Sequence, residues 1–151
     1  MDLNPEFKDM LVALKDANVD FLVVGAYAVA AHGYPRATGD LDIWIRADDG
    51  TAPRVMCALA AFGAPLTELT VADFSAPSIV FQIGVPPGRI DILTTVSGVD
   101  FDCEWKYRLQ IKLDDIAFEV IGRADLIANK RASGRPKDFA DLAALESMND
   151  D

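Results

Sequence analysis

Gly39-Asp40-Leu41-Asp42-Ile43 and, later in the chain, Arg89-Ile90-Asp91-Ile92-Leu93 are apolar runs interrupted by aspartate. Side chains along a strand alternate between faces, so Asp40 and Asp42 point one way while Leu41, Ile43 and Ile45 point into a core. Asp91 opposes Ile90 and Ile92 in the same fashion. If the two strands are neighbours, three carboxylates converge on one patch. Like charges that close repel and are tolerable mainly with cations between them, as in a two-magnesium phosphoryl-transfer site. Carboxylates at i and i+2 of one strand can bridge two Mg²⁺ ions about 4 Å apart. The competing reading is a pair of exposed aspartates on an edge strand, where charge limits aggregation.

Outward from these runs, the pattern predicts a single α+β domain over residues 1–151, with a mixed β-sheet flanked by helices and two helices at the C-terminal end. Phe7, Met10, Leu11 and Leu14 recur at helical spacing between Pro5 and about Ala17, with Asn4 ahead of Pro5. Phe21 to Val24 reads as a short buried strand ending at Gly25, followed by a helix from Ala26 to His32 that closes at Gly33. Tyr34 to Gly39 reads as a loop, Asp40 to about Ile45 as a strand, and Thr51 to Phe62 as a Thr-capped helix. Ser78 to Gly84 and Arg89 to Thr94 flank Val85-Pro86-Pro87-Gly88 and predict an antiparallel hairpin. Gln110 to Leu113 and Ile116 to Ile121 flank Asp114-Asp115 and predict a second. From Arg123 the pattern turns helical twice, broken at Gly134-Arg135-Pro136.

Composition narrows the function classes. Fourteen basic against twenty-four acidic residues give a net charge of −10, which disfavours holding nucleic acid by bulk electrostatics. The acidic start MDLNPEFKDM does not resemble a secretion signal and no window approaches membrane-spanning length, so the cytoplasm is the expected location. Cys57 and Cys103 are unclustered and read as reduced apolar packing residues. There is no GxGxxG after Val24, no GxxxxGK[ST] and no GxSxG, and one histidine with two distant cysteines does not make a structural zinc site.

Val24-Gly25-Ala26 leading into a helix, then Arg36-Ala37-Thr38-Gly39-Asp40-Leu41-Asp42, then Asp91 within an apolar strand, resembles the nucleotidyltransferase superfamily of DNA polymerase β type. The resemblance is greatest to small bacterial nucleotidyltransferase-like proteins related to abortive-infection toxins. These share a Lys…Gly-Arg-x-Lys-Asp segment, here Lys130, Gly134-Arg135 and Lys137-Asp138. The resemblance implies a Mg²⁺-dependent transferase (two ions, with Mn²⁺ as a substitute) moving NMP from an NTP to a hydroxyl of a protein, RNA or small molecule. It assigns both metals to Asp40 and Asp42, and to Asp91 one metal and the acceptor hydroxyl. It implies nucleotide contacts for Gly25, Ala26, Arg36, Thr38, Lys130 and Lys137. Ala26 departs from the family's Gly-Ser or Gly-Gly pair and lacks a hydroxyl, though a helix N-terminus still suits phosphate. That departure sustains an alternative, a catalytically degenerate fold that binds a partner protein, for instance in a toxin–antitoxin pair.

Other residues have two readings each. His32 reads as a cap or packing group rather than a phosphate contact. Arg36 either touches triphosphate or offsets the acidic cluster. Lys130, Arg131, Arg135 and Lys137 either line a cleft or form a solvated basic helix end. Asp138 and Asp141 suit the first turns of a helix, and Trp44, on the aspartate face, reads as core.

Overall fold

The computed structural model describes residues 4–33, 39–85 and 88–147, except for the side chains of Lys137 and Ser147. Helix α1 (Pro5–Asp16) begins as its residues dictate: the Asn4 side chain accepts from the Glu6 N–H at 2.8 Å, and Phe7, Met10, Leu11 and Leu14 are buried. Strand β1 (Phe21–Val24) runs directly into α2 (Gly25–Ala31), and β2 (Leu41–Ile45) returns antiparallel to β1. Helix α3 (Ala52–Phe62) ends on left-handed Gly63 and packs against α1. A 3₁₀ turn at Val71–Ser75 leads to β3 (Val80–Ile83) and β4 (Ile90–Leu93), which pair antiparallel as expected. Then follow α4 (Phe101–Trp105), β5 (Leu109–Leu113), β6 (Ile116–Val120), α5 (Arg123–Ser133) and α6 (Pro136–Ser147).

The six strands form one mixed sheet in the order β3–β4–β2–β1–β6–β5. β2/β4 and β1/β6 are parallel; the other neighbours are antiparallel. Strand β2 therefore lies inside the sheet, which removes the edge-strand reading of Asp40 and Asp42. Leu41 and Ile43, paired with Ile90 and Ile92 of β4, and Ile45, paired with Phe21 of β1, are fully buried and join α1 in one core. The opposite face carries Asp42 and Trp44. Trp44 is core, as expected: it is 2% exposed and meets the Phe101 ring edge-on at 5.0 Å. Short α4 thus covers one end of this face and leaves the acidic end open.

Two expectations need correction. Thr51 precedes α3 but makes no side-chain cap; the Asp48 carboxylate instead accepts from the Thr51 N–H at 2.7 Å. Both cysteines are exposed and free, Cys57 on the solvent side of α3 and Cys103 on α4, so neither packs in the core. Asp138 stands in the first turn of α6, as expected, and both it and Asp141 are buried. Within α4, burial first and Asp125 second push the half-buried Glu104 carboxyl up to about 7.

Candidate active site

Parallel pairing of β2 with β4 places Asp42 directly opposite Asp91. Asp40, two residues before Asp42, lies on the same face at the mouth of β2, where the Gly88 N–H donates to Gly39 O and the Leu41 N–H to Arg89 O. All three aspartates are thus brought to one patch, as strand alternation predicts. Asp91 is 6% exposed; Asp40 and Asp42 are half-buried.

Gly25 completes the floor. The strand-to-helix turn holds it at φ +70°, and a side-chain carbon there would overlap the Asp42 carboxylate, standing 3.1 Å from Cγ and closer still to Oδ2. Glycine is required twice over, by conformation and by the approach of the acid. Ala26 follows within α2, as a residue without a hydroxyl. Arg36 and Thr38 lie outside the described residues, as does the side chain of Lys137.

Sequence reasoning missed the residue that organises the acids. The Arg89 backbone N–H donates to Asp40 Oδ1 at 3.0 Å, and its Nη2 donates to Asp91 Oδ2 at 3.1 Å. Its Nε lies 2.9 Å from Asp91 Oδ1, close enough for ionic attraction but without hydrogen-bond alignment; Nη2 is 3.6 Å from Asp40 Oδ2. The hydrogen bond to Asp91, opposed by desolvation and reinforced by the charges of Asp91, Asp40 and Asp42, raises the guanidinium above the ordinary arginine value. A signal was available: Arg89 stands two residues before Asp91 and so shares its face.

The patch opens into a cleft of about 500 Å³ whose far wall is α5, through Asn129, Lys130 and Ser133, and Arg135 in the break that follows it. Segment 95–98 is pressed onto that helix. Asn129 Nδ2 donates to Ser97 O at 3.0 Å, and a side-chain carbon on Gly98 would fall 2.6 Å from Ala132 Cβ. Lys130 reaches the cleft wall, yet the residue is 4% exposed and its ammonium is held by Asp138 (3.3 Å) and Asp141 (3.1 Å) of α6. Burial alone would push Asp138 up; the Arg135 hydrogen bond and the Lys130 charge outweigh it and keep the carboxyl below its ordinary value. Asp138 also accepts from the Arg135 backbone N–H at 3.2 Å, starting α6. His32, as expected, is a packing group: Nε2 lies 2.8 Å from the Ile121 carbonyl, suited to donate to it.

The donor chemistry suits a hard divalent ion, three carboxylates beside a glycine that leaves room for one of them. Their spacing is another matter. Among the described residues no group of three or more His, Cys, Asp and Glu side chains is gathered closely enough to hold a metal, and Arg89 is the cation standing among them.

The architecture is shared with solved structures. A protein from Thermotoga maritima classed as a nucleotidyltransferase superposes with TM-score 0.62 at 15% identity, covering 95% of this chain and 91% of the other. The lincosamide antibiotic adenylyltransferase LnuA, with lincomycin bound, gives 0.59 at 13% identity, covering 98% and 99%. An antigenic nucleotidyltransferase-like protein from Paracoccidioides brasiliensis gives 0.50 at 15%, covering 93% and 74%. No protein-family model and no curated protein matches the sequence. The α+β mixed sheet of this chain is therefore the nucleotidyltransferase fold.

Proposed function

We propose that this chain is a Mg²⁺-dependent nucleotidyltransferase, moving NMP from an NTP onto an acceptor hydroxyl. The observation that carries the reading is the in-register pair Asp42–Asp91 across parallel β2 and β4, with Asp40 beside it, at the floor of an open cleft. Asp40, Asp42 and Asp91 would hold the ions, which supply charge neutralisation at the phosphate oxygens. Gly25 keeps the Asp42 carboxylate in place by leaving it room. Asp91 Oδ1, close to Arg89 Nε but without an aligned hydrogen bond, is suited to take the proton of the acceptor hydroxyl.

A small-molecule acceptor fits best. The cleft has the volume of a small-ligand site, the net charge of −10 opposes nucleic acid, and the likeness to LnuA runs nearly the length of both chains. No helix among the described residues is long and apolar enough to cross a membrane. A second reading, a degenerate fold that binds a partner protein, has two supports: Arg89 already offsets the acids, and Ala26 offers no hydroxyl to phosphate. The test is incubation of the purified protein with each α-labelled NTP, Mg²⁺ or Mn²⁺, and host lysate fractions. Label in the small-molecule fraction is expected. Absence of label in every fraction, together with no Mg²⁺-dependent NTP binding at millimolar concentration, leaves the partner-binding reading.

A further inference from the structure

We propose that edge strand β3 builds the acceptor's subsite, with Gln82 meeting a polar group beside the reacting hydroxyl and Val80 with Leu93 seating an uncharged apolar body. The inference rests on the nucleotidyl-transfer reading above for the acceptor's role. It starts from register. β3 pairs with β4 and β4 with β2, so the cleft face carries two rows across the sheet: Gln82, Asp91 and Asp42 in one, Val80, Leu93 and Trp44 in the other. Alternation sends Phe81 and Ile83 the other way, where Phe81 meets the Phe74 ring edge-on and both pack against the core.

The two rows differ in chemistry. Same-face residues of a strand stand about 6.7 Å apart, so the apolar row runs beside the polar one at roughly the span of a six-membered ring with a substituent. Trp44 is already covered by Phe101, whereas Val80 is 54% exposed and Leu93 half-buried, and both line the cleft. A ligand lying on this end of the row takes apolar surface out of water, a stabilisation that a bare polyol does not receive. Gln82, exposed at the outer end of the polar row, carries a neutral amide that both donates and accepts. It suits a hydroxyl, ether or amide of the acceptor and adds no charge. Charge sets the remaining limit. Three carboxylates with the Arg89 guanidinium among them leave the floor formally at −2, which repels an anionic body and admits a neutral one.

The probe is trans-4-methylcyclohexanol, whose hydroxyl and methyl groups lie at opposite ends of one ring. Glycerol lacks the apolar body, and trans-4-methylcyclohexanecarboxylate carries an anion in place of the hydroxyl. Each is titrated into the isotope-labelled intact chain without nucleotide, and NMR follows the Gln82 side-chain amide and the Val80 and Leu93 methyl groups. The cyclohexanol should shift all three residues and saturate in the millimolar range, while glycerol and the carboxylate leave them unmoved. Val80→Asp should weaken the cyclohexanol by about tenfold or more and Gln82→Ala by about three- to tenfold; both positions are exposed and tolerate substitution. Shifts that fall elsewhere, equal shifts from glycerol, or an affinity unchanged in both variants overturn the subsite. If α-labelled NTP still labels a small molecule of the lysate, the transferase reading survives that failure. Binding as expected, with no label transferred by the parent to any fraction, refutes the acceptor role together with the transferase reading.

Discussion

Replacing Lys130 by Met separates a cleft lysine from a structural one. A lysine that serves the nucleotide from a solvated helix end changes stability by no more than about 0.5 kcal/mol when replaced. The structure predicts otherwise. The Lys130 ammonium is enclosed between Asp138 and Asp141, themselves 0% and 4% exposed, and its removal leaves buried carboxylates short of a counter-charge. Breaking a buried ion pair by deleting one partner costs about 3–5 kcal/mol. The lower end applies, because Arg135 still holds Asp138 through Nε at 3.0 Å and through its backbone N–H. For a domain of this length, about 3 kcal/mol lowers the melting temperature by about 6–12 °C. Urea unfolding should show a lower midpoint at unchanged slope, the signature of lost stability rather than altered compactness. Adding Asp141→Leu should recover part of the loss, since a buried pair replaced by apolar groups is often near neutral. A Lys130→Met protein as stable as its parent but impaired in NTP binding would refute this reasoning and return Lys130 to the substrate.

Gly25→Ala should cost about 1–2 kcal/mol for the left-handed backbone alone and, by displacing the Asp42 carboxylate, reduce transfer about 100-fold; a folded variant with full activity removes Gly25 from the site. Asp42→Asn keeps size and removes a ligand charge, so labelled-NMP transfer should fall by about 100-fold or more; intact transfer leaves the acidic patch without a catalytic role. Glu104 holds its proton up to about pH 7 when folded and releases it at ordinary carboxylate values, near 4.3, when unfolded. Its stabilisation is thus full below about pH 4 and is lost as pH rises through 7. Glu104→Gln should therefore melt progressively higher than the parent as buffer pH is raised from 5 to 8, and parallel melting curves across that range would contradict the assignment.

Strand alternation made much of the site legible. Period-two spacing placed Asp40, Asp42 and Asp91 on one face, and only the adjacency of β2 and β4, a tertiary fact, was needed to bring them together. Asp114 and Asp115 marked the β5–β6 turn because short acidic side chains tolerate left-handed backbone, and both adopt it, with φ of 48° and 64°. Arg89 was not singled out although the same alternation applies to it; Arg36 was the cation expected to offset the acids, whereas Arg89 reaches Asp40 and Asp91. Helix α4, five residues long, is too short for a periodic signal and is held by Phe101, which meets Trp44 edge-on and stacks with Trp105. The Lys130–Asp138–Asp141 cluster joins two helices across a break, so a lysine that reads as cleft wall or solvated helix end and two acids that suit a helix's first turns meet in the interior.

Strand β2 is gripped on both sides, antiparallel to β1 and parallel to β4, with Asp42 opposite Val24 and Asp91 at once. A one-residue slip would turn Asp42 inward among the apolar side chains and Leu41 or Ile43 outward into the cleft. The acidic floor and the apolar core are obverse and reverse of one alternation, and neither can be misregistered alone. A preparation that melts as a single cooperative species can therefore be titrated on the assumption that every folded molecule carries one assembled acidic floor, which makes a substoichiometric binding ratio evidence about the ligand rather than about the fold.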